Sequence, residues 1–436
     1  MDRPGQGPDG TVVVPAIDAA SSVACMRSLG RRGIDTIGIS EQRRAPGFSS
    51  RYVGETIRVA DPSADLSAYE DAILELAHRS DVRTVIPVRE ADVYVLARNY
   101  DRLDDLVATA WPTLERLRRV QDRSRLFDAA RSADVATPET KPLDAWTEWD
   151  DDVIVKPRYT VHAPEYSTDF DERRVNERST RYVPADATPD QAAIVEEMGH
   201  VPLVQEYVPT TDEYAFFALY DRGEPVATFQ HRQERAWKYA GGPSAYRESI
   251  DVPELDAAGR RLLGELDWHG LAMVEFLRHP ETGEFLLMEV NPRFWTSLPF
   301  TVQAGVDFPY LYWRQSTDRP ITTEPSYEVG IGGHLLRGEL LYLHSILSEE
   351  YPVVERPSFS RAVRNVLTSL AREPRFDYAD LDDPLPFLRD SHNTVRQLFG
   401  ERDPSRDEKR RQESDPPATL ALRSIGETIR GTIDRF

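Results

Sequence analysis

Residues 271–293, LAMVEFLRHPETGEFLLMEVNPR, contain two apolar runs that each carry an acidic residue. Glu275 lies inside the run 271–277, and Glu289 lies inside 285–290 and is followed by Asn291. Between the runs, Pro280-Glu281-Thr282-Gly283 is a turn signal of the kind that joins antiparallel strands. Folding about Thr282 brings residues equally distant from it face to face, which predicts Leu277 opposite Leu287 and Glu275 opposite Glu289. Side chains alternate between faces with a period of two, so Asn291 shares the face of Glu289. Three oxygen-bearing side chains are expected to converge on one patch.

Two carboxylates directly opposite each other on a buried sheet face repel, and burying them unpaired is costly, so a positive group must stand between them. A hard divalent cation meets that demand. Magnesium, or manganese, takes carboxylate and carbonyl oxygens, and magnesium keeps waters or substrate phosphates in its remaining positions. Arg293, two residues beyond Asn291, is placed to set a guanidinium on the same phosphates. The competing reading pairs both acids with arginines on a solvated face, but strands this apolar around the acids favour burial on both sides.

At 436 residues with 40% hydrophobic content, the chain has material for two to four domains with real cores. No apolar run approaches the roughly eighteen residues of a membrane span, and the N-terminus lacks a signal-peptide apolar region, which predicts a soluble cytoplasmic protein. The single cysteine, Cys25, permits no internal disulfide and no cysteine metal cluster. A net charge of −21 argues against nucleic acid and anionic membranes as partners. Only Lys141, Lys156, Lys238 and Lys409 are lysines among 53 basic residues. That arginine-rich, acidic composition is similar to proteins of salt-accumulating halophiles, where the field of the surface acids is screened. It speaks of habitat rather than activity, and it makes any buried lysine conspicuous.

Residues 1–10, rich in Gly, Pro and Asp, read as disordered. From Thr11 the pattern alternates: strand 11–17, loop 18–22, helix to Arg32, strand 34–39, helix 66–78, strand 84–88. Such alternation predicts a doubly wound parallel sheet. The Asp18-Ala19-Ala20-Ser21-Ser22 turn lacks the glycines of a dinucleotide fingerprint. Glu90 and Asp92 follow the last strand, where they either face a ligand or cap the next helix. The unit ends near Trp111-Pro112, residues 114–133 read as two helices, and Thr137-Pro138 marks a turn into a new unit.

Within that unit lies VIVKPRYT, residues 153–160, with Lys156 in a β-branched run. Its charge either meets an anion or guards an edge strand against aggregation. A glycine-free polar segment, 158–181, precedes a helix at 189–198. A strand from Leu203, a turn and a second strand at 214–220 follow. Tyr207 and Val208 are suited to lie along a flat aromatic ligand, with Asp212 or Glu213 accepting from ribose hydroxyls, although alone this is an ordinary strand-turn-strand.

Together these motifs resemble the ATP-grasp superfamily, the carboxylate-amine ligases and relatives such as the carbamoyl-phosphate synthase large subunit, over residues 11–314. The resemblance implies a mixed α/β and α+β fold. A Rossmann-like unit (11–112) precedes two ATP-grasp subdomains (113–208 and 209–318) that hold ATP between them. Gln121-Asp122-Arg123 stands in place of the family's Asp-Lys at a helix start, with Arg123 as the phosphate-binding cation. Lys156 matches the second nucleotide lysine, Gln205-Glu206-Tyr207-Val208 the adenine-contacting hinge, and Glu213 the ribose acid. Glu275, Glu289 and Asn291 match the metal ligands, and Arg293 the arginine of the Asn-Pro-Arg signature. Two departures stand out. The family's glycine-rich loop is replaced by Pro157-Arg158-Tyr159-Thr160-Val161-His162, so side chains rather than bare amides would have to cover the phosphates. Arginine at 123 also keeps the charge but changes hydrogen-bond geometry.

The segment 230–249, QHRQERAWKYAGGPSAYRES, is the densest basic stretch beside a glycine pair. In similar proteins the corresponding region borders the phosphate and acceptor pocket. Arg232 or Arg247 is therefore expected to reach the γ-phosphate or a substrate carboxylate, against pairing with the abundant acids. Nothing in the chain suggests a covalent nucleophile. The resemblance implies an ATP- and magnesium-dependent ligase that turns a small carboxylate into an acylphosphate for attack by an amine. An acylphosphate- or carboxyphosphate-forming relative and a non-catalytic nucleotide sensor are the alternatives, and a homodimer is the default assembly. Beyond Pro320, helices at 332–347 and 359–370 lead to a Pro/Asp-rich stretch, 377–386, within a helical extension spanning 319–400. A charged linker and a terminal helix are expected over 401–436.

Overall fold

The computed structural model describes residues 10–398 apart from 16–18, 176–179, 186, 211, 318, 320 and 322. The expectations for 1–9 and for 401–436 lie outside the described residues. The chain opens with β1 (Thr11–Pro15), α1 (Ala20–Gly30), β2 (Thr36–Ser40), β3 (Glu55–Arg58), α2 (Leu66–Ala77), β4 (Val82–Val85), α3 (Glu90–Arg98) and α4 (Tyr100–Asp104). The four strands form the expected parallel sheet in the order β3-β2-β1-β4. Val12, Val13 and Val14 are all fully buried, as a parallel strand covered on both faces requires. The helix after β1 starts earlier than expected, at Ala20, and Ser22 lies inside it. The Ser22 hydroxyl donates to the Pro15 carbonyl at 2.5 Å instead of marking a loop.

Next come α5 (Leu114–Gln121), α6 (Arg123–Ser132), β5 (Thr140–Pro142), β6 (Val153–Lys156), β7 (Val161–His162), β8 (Arg174–Val175), β9 (Arg181–Val183), α7 (Gln191–Met198) and β10 (Leu203–Glu206). Four of these strands form a sheet in the order β5-β10-β6-β9, so Lys156 ends an interior strand. Asp122 caps α6 by accepting from the Ser124 amide at 3.1 Å.

The largest sheet, β15-β14-β11-β12-β13-β16, is built from β11 (Glu213–Asp221), β12 (Glu224–Lys238), β13 (Gly241–Ser249), β14 (Gly270–Arg278), β15 (Phe285–Asn291) and β16 (Gly332–His334). Helix α8 (Pro253–Glu265) packs on the face lined by Tyr214, Phe216, Val274 and Phe276. The opposite face, with Ala215, Phe217 and Met273, packs against Trp295, α9 (Leu298–Gln303) and α10 (Phe308–Ser316). Period-two alternation puts Glu275 on this second face. A mostly helical end follows, with α11 (Leu336–Ser348), α12 (Phe359–Arg372) and α13 (Leu385–Leu398).

Three local expectations are corrected. Leu277 faces Leu286, and Phe276 faces Leu287, because a bulge between Glu275 and Phe276 leaves Met288 as an extra residue on β15. The expected helix at 332–347 begins only at Leu336. Residues 332–334 pair with β13 as a strand, where a Cβ on Gly333 would lie 2.5 Å from the Phe300 ring. The Pro/Asp-rich stretch gives way to α13 at Leu385, with Pro386 in its first turn, where the missing N–H costs nothing.

Candidate nucleotide and metal site

Glu275 and Glu289 occupy one register position of the β14–β15 hairpin. The Asn291 amide bridges them, with Nδ2 donating to Glu275 Oε1 and to Glu289 Oε1 at 3.1 Å each. Burial, followed by the facing charges of Glu289 and Glu213, pushes the Glu275 carboxyl well above the usual carboxylate range. Against the same burial, Arg123 first and then Lys156 hold Glu289 below it. Arg123 Nη2 donates to Glu289 Oε2 at 3.0 Å, and its Nη1 donates to the Pro157 carbonyl at 2.9 Å.

Lys156 enters this cluster from the other sheet. Burial, then the neighbouring Arg123 charge, lowers its ammonium to about 8, while Glu289, Glu275 and Glu213 act in the opposite direction. Burial raises Glu213 to about 7, opposed by Lys156, and Gln233 donates to its carboxylate. The β12–β13 hairpin tip passes above it. Gly241 and Gly242 adopt φ of +125° and +104°, and a Cβ at 241 would stand 3.5 Å from Glu213 Oε1.

Arg293 lies at the seam with the parallel sheet. Its Nε donates to Glu90 Oε1 at 2.8 Å and its Nη2 to Asn291 Oδ1 at 3.0 Å. Glu90 in turn accepts from Gln121 at 2.7 Å. Asp92 takes the capping role, accepting from the Val88 and Arg89 amides at 3.0 and 2.8 Å. Glu90 and Gln121 are therefore site-bordering residues whose roles were not assigned from the sequence. The only signal was the position of Glu90 at the carboxyl end of a sheet.

In the hinge, Gln205 is fully buried, donates to Thr140 Oγ1 at 2.9 Å and leaves Oε1 without a partner. The amides of Glu206 and Tyr207 are taken by Glu139 and Asp152 carbonyls at 2.9 and 3.0 Å, and Val208 is buried beside them. The loop after Lys156 uses its side chains as anchors. Arg158 pairs with buried Asp122 through two bonds of 2.8 and 2.9 Å, and its amide donates to His200 at 3.0 Å.

The structure does not bring every expected residue to the cluster. Arg232 alternates onto the opposite sheet face, opposite Tyr214, and pairs with Glu234. Arg247 shares the face of Glu213 and Glu275 but is fully buried two strands beyond Glu213 and pairs with Asp377.

The donor set fits magnesium in part. Among the described residues, no three His, Cys, Asp or Glu side chains are placed to hold a metal on their own. The two glutamates would supply two ligands, and Asn291 would supply a third with its amide turned, at the loss of its Oδ1 bond from Arg293 Nη2. Water and phosphate oxygens are the usual remainder for magnesium. The raised Glu275 carboxyl marks surplus negative charge of the kind a divalent ion relieves.

No family model matches the chain. A 60-residue stretch, 14% of the chain, is 42% identical to acetyl-CoA carboxylase 1 of Oryza sativa subsp. japonica and spans 3% of that protein. Among solved structures, Rhizobium etli pyruvate carboxylase matches with a TM-score of 0.58 and 16% identity, over 75% of this chain and 30% of that one. The N5-carboxyaminoimidazole ribonucleotide synthetase PurK matches at 0.56 and 14%, over 84% and 98%. The biotin carboxylase domain of Hydrogenobacter thermophilus 2-oxoglutarate carboxylase matches at 0.54 and 15%, over 74% and 73%. The chain thus spans less than a third of the pyruvate carboxylase. At these identities the likeness is one of fold, and that fold is ATP-grasp behind a Rossmann-like parallel sheet, with a mostly helical C-terminal region.

Proposed function

We propose that the chain is an ATP- and magnesium-dependent ligase that activates a small carboxylate as an acylphosphate for attack by an amine. The observation that carries this reading is the opposition of Glu275 and Glu289 with Asn291 between them and Arg123 and Lys156 at the same cluster. In this reading Lys156 and Arg123 hold phosphate oxygens, Glu213 accepts from the ribose, and residues 205–208 line the adenine. Arg293, fixed by Glu90, neutralises charge developing on the transferred group. A bound magnesium ion would supply charge neutralisation at the phosphates, held by Glu275, Glu289 and Asn291. The substrate oxygen attacks the γ-phosphorus, ADP departs with the electron pair of the broken bond, and the amine then displaces phosphate from the acyl carbon.

A second reading, in which bicarbonate is the activated carboxylate, is favoured by one observation. The 2-oxoglutarate carboxylase domain was crystallised with MgADP and bicarbonate. No helix of the described residues is long and apolar enough to cross a membrane, which is compatible with a cytoplasmic enzyme. We further propose a homodimer and a saline habitat, the latter from the net charge of −21. The test is ADP release in magnesium, at low and at molar salt, over a panel of carboxylic acids, bicarbonate and amines. Acceptor-stimulated turnover that Glu289→Gln reduces by about 100-fold or more is expected. Nucleotide binding without stimulated turnover would leave a sensor instead.

A further inference from the structure

The sheet β5-β10-β6-β9 turns one side toward α7 and the other toward the cleft that Lys156 enters. Val153, Val155, Val183 and Val204 pack with Ile194 and Met198 on the α7 side. Gln205, Ile154 and Tyr182 pair across β10, β6 and β9 on the opposite side, and Lys156 shares it by period-two alternation. Tyr182 thus faces the same way as Lys156, from an edge strand of the sheet. Its hydroxyl donates to the Ala240 carbonyl at 3.2 Å, at the tip of the β12–β13 hairpin. Its ring meets two others edge to face: Tyr207 of the hinge, with centroids 6.1 Å apart, and Tyr351, which follows α11, at 5.9 Å.

The hairpin tip is itself held by the C-terminal extension. Tyr351 packs edge to face on Tyr239 with centroids 5.1 Å apart. Tyr239 donates its amide to Ser345 Oγ and its hydroxyl to the Glu349 carbonyl, each at 3.1 Å. The Glu349 carboxylate pairs with Lys238 at 3.0 Å and accepts from the Tyr351 hydroxyl. Ile346 of α11 and Ala362 of α12 are buried with Tyr239 in one cluster. Tip and extension therefore form one body, and Tyr182 is where the sheet that carries Lys156 meets it. An edge-to-face ring pair and a neutral hydrogen bond are each weak, and together they shift an open–closed equilibrium about tenfold to a hundredfold. That is enough to hold a cleft shut and little enough to release it. With the contact made, Gly241 lies over Glu213, the proposed ribose acid.

We propose that Tyr351 and Tyr182 are positioning residues that latch this sheet over a bound nucleotide, so that the C-terminal extension is a working part of the site. The assignment rests on the nucleotide reading above and adds to it what holds the cleft closed. Tyr351 acts through Tyr182, whose strand pairs with β6 and so carries Lys156 with it. Nucleotide leaves when the rings part, and the latch therefore governs dissociation. With the latch broken, Lys156 spends less of its time beside Glu275 and Glu289.

The full chain tests this in two measurements. Surface plasmon resonance follows MgADP dissociation. Spin-label distances between Glu196→Cys on α7 and Glu254→Cys on α8, with the buried Cys25 replaced by alanine, report closure without nucleotide. Tyr351→Ala is expected to speed MgADP dissociation at least about tenfold and to raise the long-distance fraction of the nucleotide-free chain at least about fivefold. Tyr351→Phe keeps the ring and is expected to stay within about twofold of the wild type, and Tyr182→Phe, which loses only the bond to Ala240, to fall between the two. Dissociation and distances that Tyr351→Ala leaves unchanged overturn the latch, as does a Tyr351→Phe chain that releases MgADP as fast as Tyr351→Ala. If Tyr351→Ala fails to fold, Tyr182→Leu removes the same ring pair from the other side and decides. A wild-type chain that binds no MgADP sinks the nucleotide reading, and the distances still decide the latch.

Discussion

Arg123 donates to Glu289 across 3.0 Å, so a guanidinium at the start of α6 neutralises one of two carboxylates that share a register position. Glu289 is thereby held below the usual carboxylate range, while burial and the facing Glu289 and Glu213 charges push Glu275 well above it against Arg293 and Lys156. In the proposed reading of this pair as metal ligands, a divalent charge would favour ionisation of both.

Replacing Glu275 by Gln removes one of the two facing charges without breaking the Arg123 ion pair. The metal-free protein is expected to gain stability, by about 1 kcal/mol or less. ADP release in magnesium is expected to fall by about 100-fold. Urea unfolding in a chelator, run beside the turnover assay, checks both. A destabilised variant with full turnover would remove the case for a metal-binding pair.

The Lys156 ammonium is lowered to about 8 from its ordinary 10.5, chiefly by burial and then by Arg123. Because the folded value is depressed, between about pH 8 and the unfolded value the unfolded chain holds more protons. Stability from this group therefore rises with pH across that window. Binding nucleotide phosphates favours the protonated ammonium, so MgADP binding near pH 8 is expected to take up protons. Affinity should weaken as pH climbs above 8. Calorimetry in buffers of different ionisation heat measures the uptake, and Lys156→Arg should abolish it. Buffer-independent heats in the wild type would contradict this assignment.

Arg293 reaches the start of α3 through Glu90 at 2.8 Å, one of several bonds between the two units, beside the Phe294 amide on the Pro87 carbonyl at 3.0 Å. Arg293→Ala is expected to lower kcat/KM by about 100-fold and Glu90→Gln by less, with a coupling of about 1 kcal/mol in the double-mutant cycle. Additive effects would mean that Glu90 does not orient Arg293.

Asp122 is buried, caps α6 and receives Arg158 in a two-bond pair. The Arg158 side chain keeps 34% of its surface in solvent, which weakens the penalty of unpairing it. Asp122→Ala is therefore expected to cost about 2 kcal/mol in urea unfolding, between a lost cap and a fully buried broken pair. A loss below a few tenths would show that the loop after Lys156 is not pinned there.

Period-two alternation and a turn signal, both local properties, were enough to place Glu275 opposite Glu289 and Asn291 beside them. The same locality failed one residue further on, where the closing bond from the His279 amide to the Glu284 carbonyl sets the turn. The bulge at Met288 then restores the carboxylate pairing, a detail that no residue pattern carries. Alternation of apolar runs likewise revealed the parallel sheet, whereas β16 and α13 were not legible. Gly332 and Gly333 become a strand only because β13 and Phe300 lie where Cβ atoms would be, and Leu385 starts a helix after a stretch rich in breakers.

By itself the sequence determined the elements whose cause lies within a few residues: the acidic hairpin, the lysine strand, the capped helices and the surface charge. Tertiary structure alone decided which cations meet the carboxylates. The face a side chain occupies follows from its strand, but its partner comes from a distant segment. Arg232 and Arg247 looked equivalent along the chain, and one residue of strand phase separated them onto opposite sides of the sheet. The burial of Arg247 against Asp377, 130 residues away, required the fold to bring the C-terminal segment onto β13.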